Sequence, residues 1–219
     1  MKRDRLMLVA LAAALLGPLQ GCVPVVVTGV AVGGALATAD RRSYGVQVDD
    51  TGIEVKAEAD LLQRYDDKVH VNVTSFNRNV LITGEVPDEA TRAAIETMVS
   101  GYPNVHSVTN ELRIAPPESY GSRSNDAYIT SKVKARFVES GKVYANLVKV
   151  VTEAGVVYLM GLVTQQEANA ATEIARTTGD VRKVVRVFQY ISEEEAKKLD
   201  PPPPTYQNPQ KSPAGPAGM

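Results

Sequence analysis

Apolar residues recur along the middle of the chain in two periods, and the periods alternate. Ile53, Ala57 and Leu61 stand four apart, as do Ile129, Val133 and Phe137. That spacing stacks side chains on one helical face, so each set predicts an amphipathic helix. Asp50 and Asp126 stand just before these sets, where an N-cap acceptor belongs. Val69, Val71 and Val73 alternate with other residues and predict a half-buried strand. Residues 80–86 predict a second strand, joined to the first through the turn-forming Asn77-Arg78-Asn79. Thr91, Ala94, Ile95, Met98 and Val99 then share a helical face, which Gly101 and Pro103 end. A last strand covers 105–114.

The whole pattern occurs twice. Asp50, Ile53, Lys56 and Ala57 correspond to Asp126, Ile129, Lys132 and Val133 at an offset of 76. Val80, Gly84 and Val86 correspond to Val157, Gly161 and Val163 at 77, and Val105 and Val108 to Val181 and Val184 at 76. In the second copy Glu153-Ala154-Gly155 supplies the turn, and Thr164 with Glu167 forms a capping box before a helix over 168–175. The last strand covers 181–191. The order is therefore α-β-β-α-β, twice. The expected fold is α+β, with two tandem domains. Each is a small three-stranded sheet with two helices on one face. About 65 to 70 residues per copy suffice for an independent core. Gly84 and Gly161, inside the second strands, are expected at close-packing or bulge positions.

The flanks differ in character. Lys2, Arg3 and Arg5 precede an apolar run from Leu6 to Leu16, followed by Gly17, Pro18 and Leu19-Gln20-Gly21-Cys22. This layout predicts a secretory signal, and its 11-residue apolar run is too short to span a bilayer. Leu19 to Cys22 resembles a bacterial lipobox. That resemblance implies diacylglycerol on the Cys22 sulfur, cleavage before it and acylation of the new amino terminus. An ordinary signal beside a free cysteine is the alternative. Val23, where Asp would favour inner-membrane retention in lipoproteins of that kind, points to the outer membrane and its periplasmic side. Cys22 is the only cysteine, so no intrachain disulfide can form. The expected division is a signal peptide at 1–21, a lipidated apolar leader at 22–45 and domains at 46–115 and 125–193. A linker at 116–124 separates them, and a Pro-rich disordered tail follows at 194–219. The Gly-containing apolar stretch at 23–39 fits a flexible leader near a bilayer or a short membrane-associated segment.

Composition narrows function by exclusion. Without residues 1–21 the chain keeps 21 basic and 24 acidic side chains, a net charge of −3. It has no global basic character to recruit nucleic acid. Its two histidines, His70 and His106, fall on predicted strands of the first copy without a metal-ligand spacing. No phosphate-binding glycine loop and no recognisable nucleophile occur, so neither enzyme chemistry, cofactor nor metal is expected. The paired helices differ in charge. Residues 53–63 carry a net −2, whereas 128–139 carry +2 through Lys132, Lys134 and Arg136 against Glu139. With Ile129, Val133 and Phe137 in the core, Tyr128, Lys132 and Arg136 line the neighbouring stripe. A tyrosine among cations suits an anionic headgroup region. A solvated helix face is the plain alternative.

The α-β-β-α-β unit carries Gly84 or Gly161 in its second strand and a closing Val-x-x-Val. It resembles the BON domain. Two such units behind a lipobox resemble the dual-BON outer-membrane lipoproteins, from Cys22 to about Ile191. Residues 46–50 and 159–163 are especially close. The resemblance implies binding of anionic phospholipid, a role in envelope integrity and enrichment at division sites. In that family the first helix of the second domain carries lipid contact, with tryptophan at the place of Tyr128. The paired domains, the acidic first helix and the Pro-rich tail support a second reading, a protein-interaction adaptor for outer-membrane assembly factors or cell-wall regulators, and envelope assembly or division proteins are the partners either reading allows.

Overall fold

The computed structural model describes residues 40–200. Cys22, the leader to residue 39 and the tail from 201 lie outside the described residues. The first copy comprises α1 (Tyr44–Tyr65), β1 (His70–Phe76), β2 (Asn79–Val86), α2 (Glu89–Ser100) and β3 (Ser107–Ile114). The second comprises α3 (Tyr120–Ser140), β4 (Val148–Glu153), β5 (Val156–Val163), α4 (Gln165–Arg176) and β6 (Lys183–Tyr190), and α5 (Glu193–Leu199) follows. In each copy the middle strand pairs antiparallel with the first and parallel with the last. The chain is thus α+β, with two three-stranded sheets among the described residues.

The expected helical faces form the cores. Ile53, Ala57 and Leu61 pack with Val80, Ile82, Val86, Ile95 and Val99. Ile129, Val133 and Phe137 pack with Val157, Leu159, Val163 and the alanines of α4. Both helices of a copy therefore cover one face of its sheet. The opposite faces meet each other. Phe76 and Leu81 of the first copy join Tyr158 and Met160 of the second in one buried cluster, flanked by Val151, Val156, Leu162, Val185 and Val187. Successive residues of a strand point to opposite faces. Val80 and Ile82 thus meet helices while Leu81, between them, meets the other sheet. The layers run helices, sheet, sheet, helices.

The first helix of each copy begins earlier than its apolar spacing predicts. Ser43 and Ser119 are the N-caps, each hydroxyl accepting at 3.3 Å from the N–H of Val46 or Ser122. Residues 120–124, expected in the linker, are therefore the opening turns of α3. Asp50 and Asp126, expected as N-caps, are buried inside their helices and hold the following hairpin. Asp50 accepts from the backbone N–H of Asn77 at 2.8 Å and of Arg78 at 2.7 Å, and from the Ser75 hydroxyl at 2.7 Å. Asp126 accepts from the N–H of Ala154 and of Gly155, both at 2.8 Å. These turn residues have positive φ, 52° and 63° in the first copy and 52° and 71° in the second. A primed two-residue hairpin turn requires such angles, and three of the four residues have a Cβ that disfavours them. The carboxylate offsets that strain twice, in the same way.

Helix α5 occupies positions assigned to the tail. Ser192 caps it, acidic residues Glu193 to Glu195 open it and Lys197 and Lys198 close it, an order that suits the helix dipole. Asp200 then meets Arg41, which is buried. Arg41 donates to Asp200 at 2.7 and 3.1 Å, to Glu167 at 2.7 and 2.8 Å and to the Leu162 carbonyl at 2.9 Å. The segment before α1 is thereby clamped to the second copy, at the start of α4.

Candidate functional site

Helix α3 buries Asp126, Ile129, Val133 and Phe137 and turns its opposite face to solvent. Tyr128 is 61 % exposed on it. Lys132 and Arg136, one and two turns on, are half-buried and already engaged. The Lys132 ammonium lies 2.5 Å from an Asp180 carboxylate oxygen and 4.9 Å from the Tyr128 ring centre. Arg136 donates to the Ile174 carbonyl at 2.9 Å and the Thr178 hydroxyl at 2.8 Å. It thus joins the Thr178 hydroxyl, which donates at 2.8 Å, on a carbonyl in the last turn of α4, where the helix itself supplies no N–H. Arg136 ties the two helices of the second copy together. Lys132 is a surface cation held beside the tyrosine. Lys134 is exposed on the other flank.

Three apolar residues not singled out by sequence are also exposed in this region. Tyr120 (85 %) and Val138 (70 %) share the outward face of α3 with Tyr128, and Tyr144 (70 %) follows the helix. Tyr120 was hidden in the supposed linker. The tripeptide Ser-Tyr-Gly at 43–45 recurs at 119–121, again at an offset of 76. It was the signal that could have extended the repeat and revealed both caps.

A second polar cluster spans the two copies. His70 and Glu85 face each other across β1 and β2, with Nδ1 3.0 Å from the carboxylate. Glu153 of β4 approaches the same ring nitrogen to 3.7 Å and accepts from the Asn72 amide at 2.9 Å. Arg113 donates to the fully buried Glu85 at 2.5 Å and to Glu118 at 2.8 Å. His70, Glu85 and Glu153 thus bring three ligand-type atoms together, which their separation in sequence had concealed. The guanidinium and the amide already occupy carboxylate oxygens there. Arg113 neutralises Glu85 in part, carboxylates outnumber it, and the cluster forms the polar margin of the contact between sheets.

Its carboxylates respond oppositely to pH. Burial pushes Glu85 up, but hydrogen bonds from His70, the Glu118 N–H and Arg113 outweigh it and hold the group below its ordinary range. Its stabilisation is present above the unfolded value and is lost as pH falls through the folded one. Burial raises Glu153, and the charges of Glu85 and Asp126 add to this against the pull of Asn72 and His70. A raised carboxylate favours the fold most below its unfolded value and loses that contribution as pH rises through the folded one. Glu153→Gln is therefore expected to raise stability by roughly 1 kcal/mol at neutral pH. Urea denaturation at several pH values should show the gain shrinking as the wild-type carboxyl takes up its proton in acid.

A cleft of about 540 Å³ opens between α1, β1 and β4. Glu54, Glu58 and Glu153 line it, and Lys149 pairs with Glu54 at 2.8 Å. Its acidic wall suits an anionic ligand poorly. Among the described residues no helix is long and apolar enough to cross a membrane.

The BON domain family matches residues 49–116 and again 125–192. The chain belongs to the BON-domain family. It is 40 % identical over 175 residues to "Outer membrane lipoprotein DolP" of Haemophilus influenzae, covering 79 % of this chain and 90 % of that protein. It is a dual-BON, DolP-like protein. The "21 kDa hemolysin" of Actinobacillus pleuropneumoniae is 32 % identical, with 69 % of this chain and 79 % of that protein covered. "Osmotically-inducible protein Y" of Escherichia coli is 28 % identical, with 69 % and 77 % covered. Both BON copies keep the glycine in the middle strand, Gly84 and Gly161, and both keep the helix carboxylate on the hairpin.

Proposed function

We propose that this chain is a non-enzymatic lipoprotein of the outer membrane, anchored through Cys22 and facing the periplasm. It binds anionic phospholipid through α3 of the second BON copy. In this role it supports envelope integrity, at division sites. The similarity to a protein named as an outer-membrane lipoprotein supports the location. The observation that carries the binding reading is the outward face of α3, where the exposed Tyr128 has the Lys132 ammonium beside its ring and Lys134 is exposed further along the same helix. The ring can enter the headgroup layer while the ammonium groups meet phosphate, and each cation near an anionic surface contributes about 1 kcal/mol.

The test is co-sedimentation of the chain from residue 22, with Cys22→Ser, on vesicles with and without anionic lipid. Tyr128→Ala is expected to weaken binding roughly five-fold, equivalent to about 1 kcal/mol. Lys132→Glu with Arg136→Glu is expected to weaken it further. Because Arg136 also holds the Ile174 carbonyl, Lys134→Glu serves as the variant that leaves internal contacts alone. Unchanged binding by Tyr128→Ala and Lys134→Glu together would remove α3 as the site.

A further inference from the structure

Helix α1 carries a second apolar face, opposite the one packed on its sheet. Gly45, Val48, Gly52, Val55, Ala59 and Leu62 are all exposed, the three larger ones by 52 %, 61 % and 66 %. They follow one another at alternating intervals of three and four, small residue then large. This is the seam spacing of a coiled coil. Among the described residues nothing inside the fold accounts for the glycines. A Cβ on Gly52 would meet no atom within 4 Å, and one on Gly45 only the Ser43 hydroxyl at 4.0 Å. Gly52 has no positive φ, and glycine within a helix is less stable than alanine. At both positions the helix backbone lies bare toward open space.

We propose that this face pairs with α1 of a second copy of this chain, antiparallel, about a two-fold axis between Ile53 and Glu54. In that register Gly52 of one copy meets Val55 of the other, Val48 meets Ala59 and Gly45 meets Leu62. Every small residue faces a large one in all six layers. The same operation sets Asp49 of each copy, which already pairs with Arg78, beside Lys56 of the other, which already pairs with Asp60, and Thr51 beside Glu58, so the cross-copy contact extends two existing ion pairs and no like charges meet. Parallel, in-register pairing would set glycine against glycine and valine against valine, alternating gaps with crowding. A patch that is complementary to itself under a two-fold is what a closed dimer requires. Two helices of this length bury an area at the low end for specific interfaces, so the dimer is weak and reversible.

Sedimentation equilibrium of the chain from residue 22, with Cys22→Ser to remove acylation, tests this. A concentration-dependent monomer–dimer equilibrium is expected. Gly52→Gln places a long side chain in the seam yet finds open space within one copy. It should weaken the dimer by roughly tenfold or more without lowering the melting temperature. Gly45→Cys mixed with Leu62→Cys should crosslink through a short bis-maleimide, whereas Leu62→Cys alone should not. A monomer at every concentration overturns the proposal, as does a dimer indifferent to Gly52→Gln or self-crosslinking of Leu62→Cys. A chain that stays monomeric but loses vesicle binding on Gly52→Gln also overturns it, in favour of a lipid-facing helix.

Discussion

Gly84→Ala is expected to destabilise the first BON copy by about 4 kcal/mol, a large part of the stability of a small domain. An added Cβ would stand 1.9 Å from the His70 carbonyl oxygen and 2.9 Å from its carbon, and φ at Gly84 is 118°. Neither fault can relax alone. The clashing atoms are backbone, so β1 would have to leave β2, and with it His70 would leave Glu85. Gly161 offers an internal comparison. Its Cβ would lie 2.6 Å from the Leu147 carbonyl oxygen, but its φ is not positive. Gly161→Ala is expected to cost about 2 kcal/mol, because only the steric fault applies. Urea denaturation of both variants checks the difference. Equal and small shifts would show that the middle strand yields more readily than its contacts suggest.

Asp50→Ala is expected to cost about 3 kcal/mol. The substitution removes the acceptor of two backbone N–H groups, at Asn77 and Arg78, both at positive φ, and of the Ser75 hydroxyl. It also releases Arg42, which donates to Asp50 at 2.8 Å and lies over the Phe76 ring at 4.0 Å. The loss thus reaches the sheet-to-sheet cluster through Phe76. Asp126→Ala removes two acceptor contacts rather than four, so about 2 kcal/mol is expected there. Thermal unfolding of the two variants should rank them in that order. Asp126→Ala bears on function as well, since it loosens α3 at the end that presents Tyr128.

Asp50 and Asp126 also mark where sequence reasoning reaches its edge. Both were singled out correctly as acceptors, with the wrong donors. An N-cap partner lies three residues away and is visible in the sequence. The hairpin donors lie 25 to 29 residues away and become partners only when the helix packs on the sheet. Lys132 and Arg136 follow the same logic. Their spacing places them beside Tyr128 on a helix, but Asp180 and the Ile174 carbonyl engage them from 48 and 38 residues away. The contact of Asn72 with Glu153 spans 81 residues. No local pattern announces it.

Two copies, the α-β-β-α-β order of each and the helical faces that pack on the sheets are all legible in the residue pattern. Periodicity is a local property, and the four-residue spacing of Ile53, Ala57 and Leu61, and of Ile129, Val133 and Phe137, marks the face that each helix packs on its sheet. What the second face of each sheet does depends on how the two copies pack together. Every residue of β2 from Val80 to Val86 is buried, and residues 157–161 of β5 are buried likewise. A strand covered on both sides loses the alternation that would tell its faces apart. Leu81 and Tyr158 therefore meet in the middle of the molecule for a reason that only the assembled sheets contain. Each offers an apolar surface that its own helices leave uncovered, and the other copy is the surface that fits.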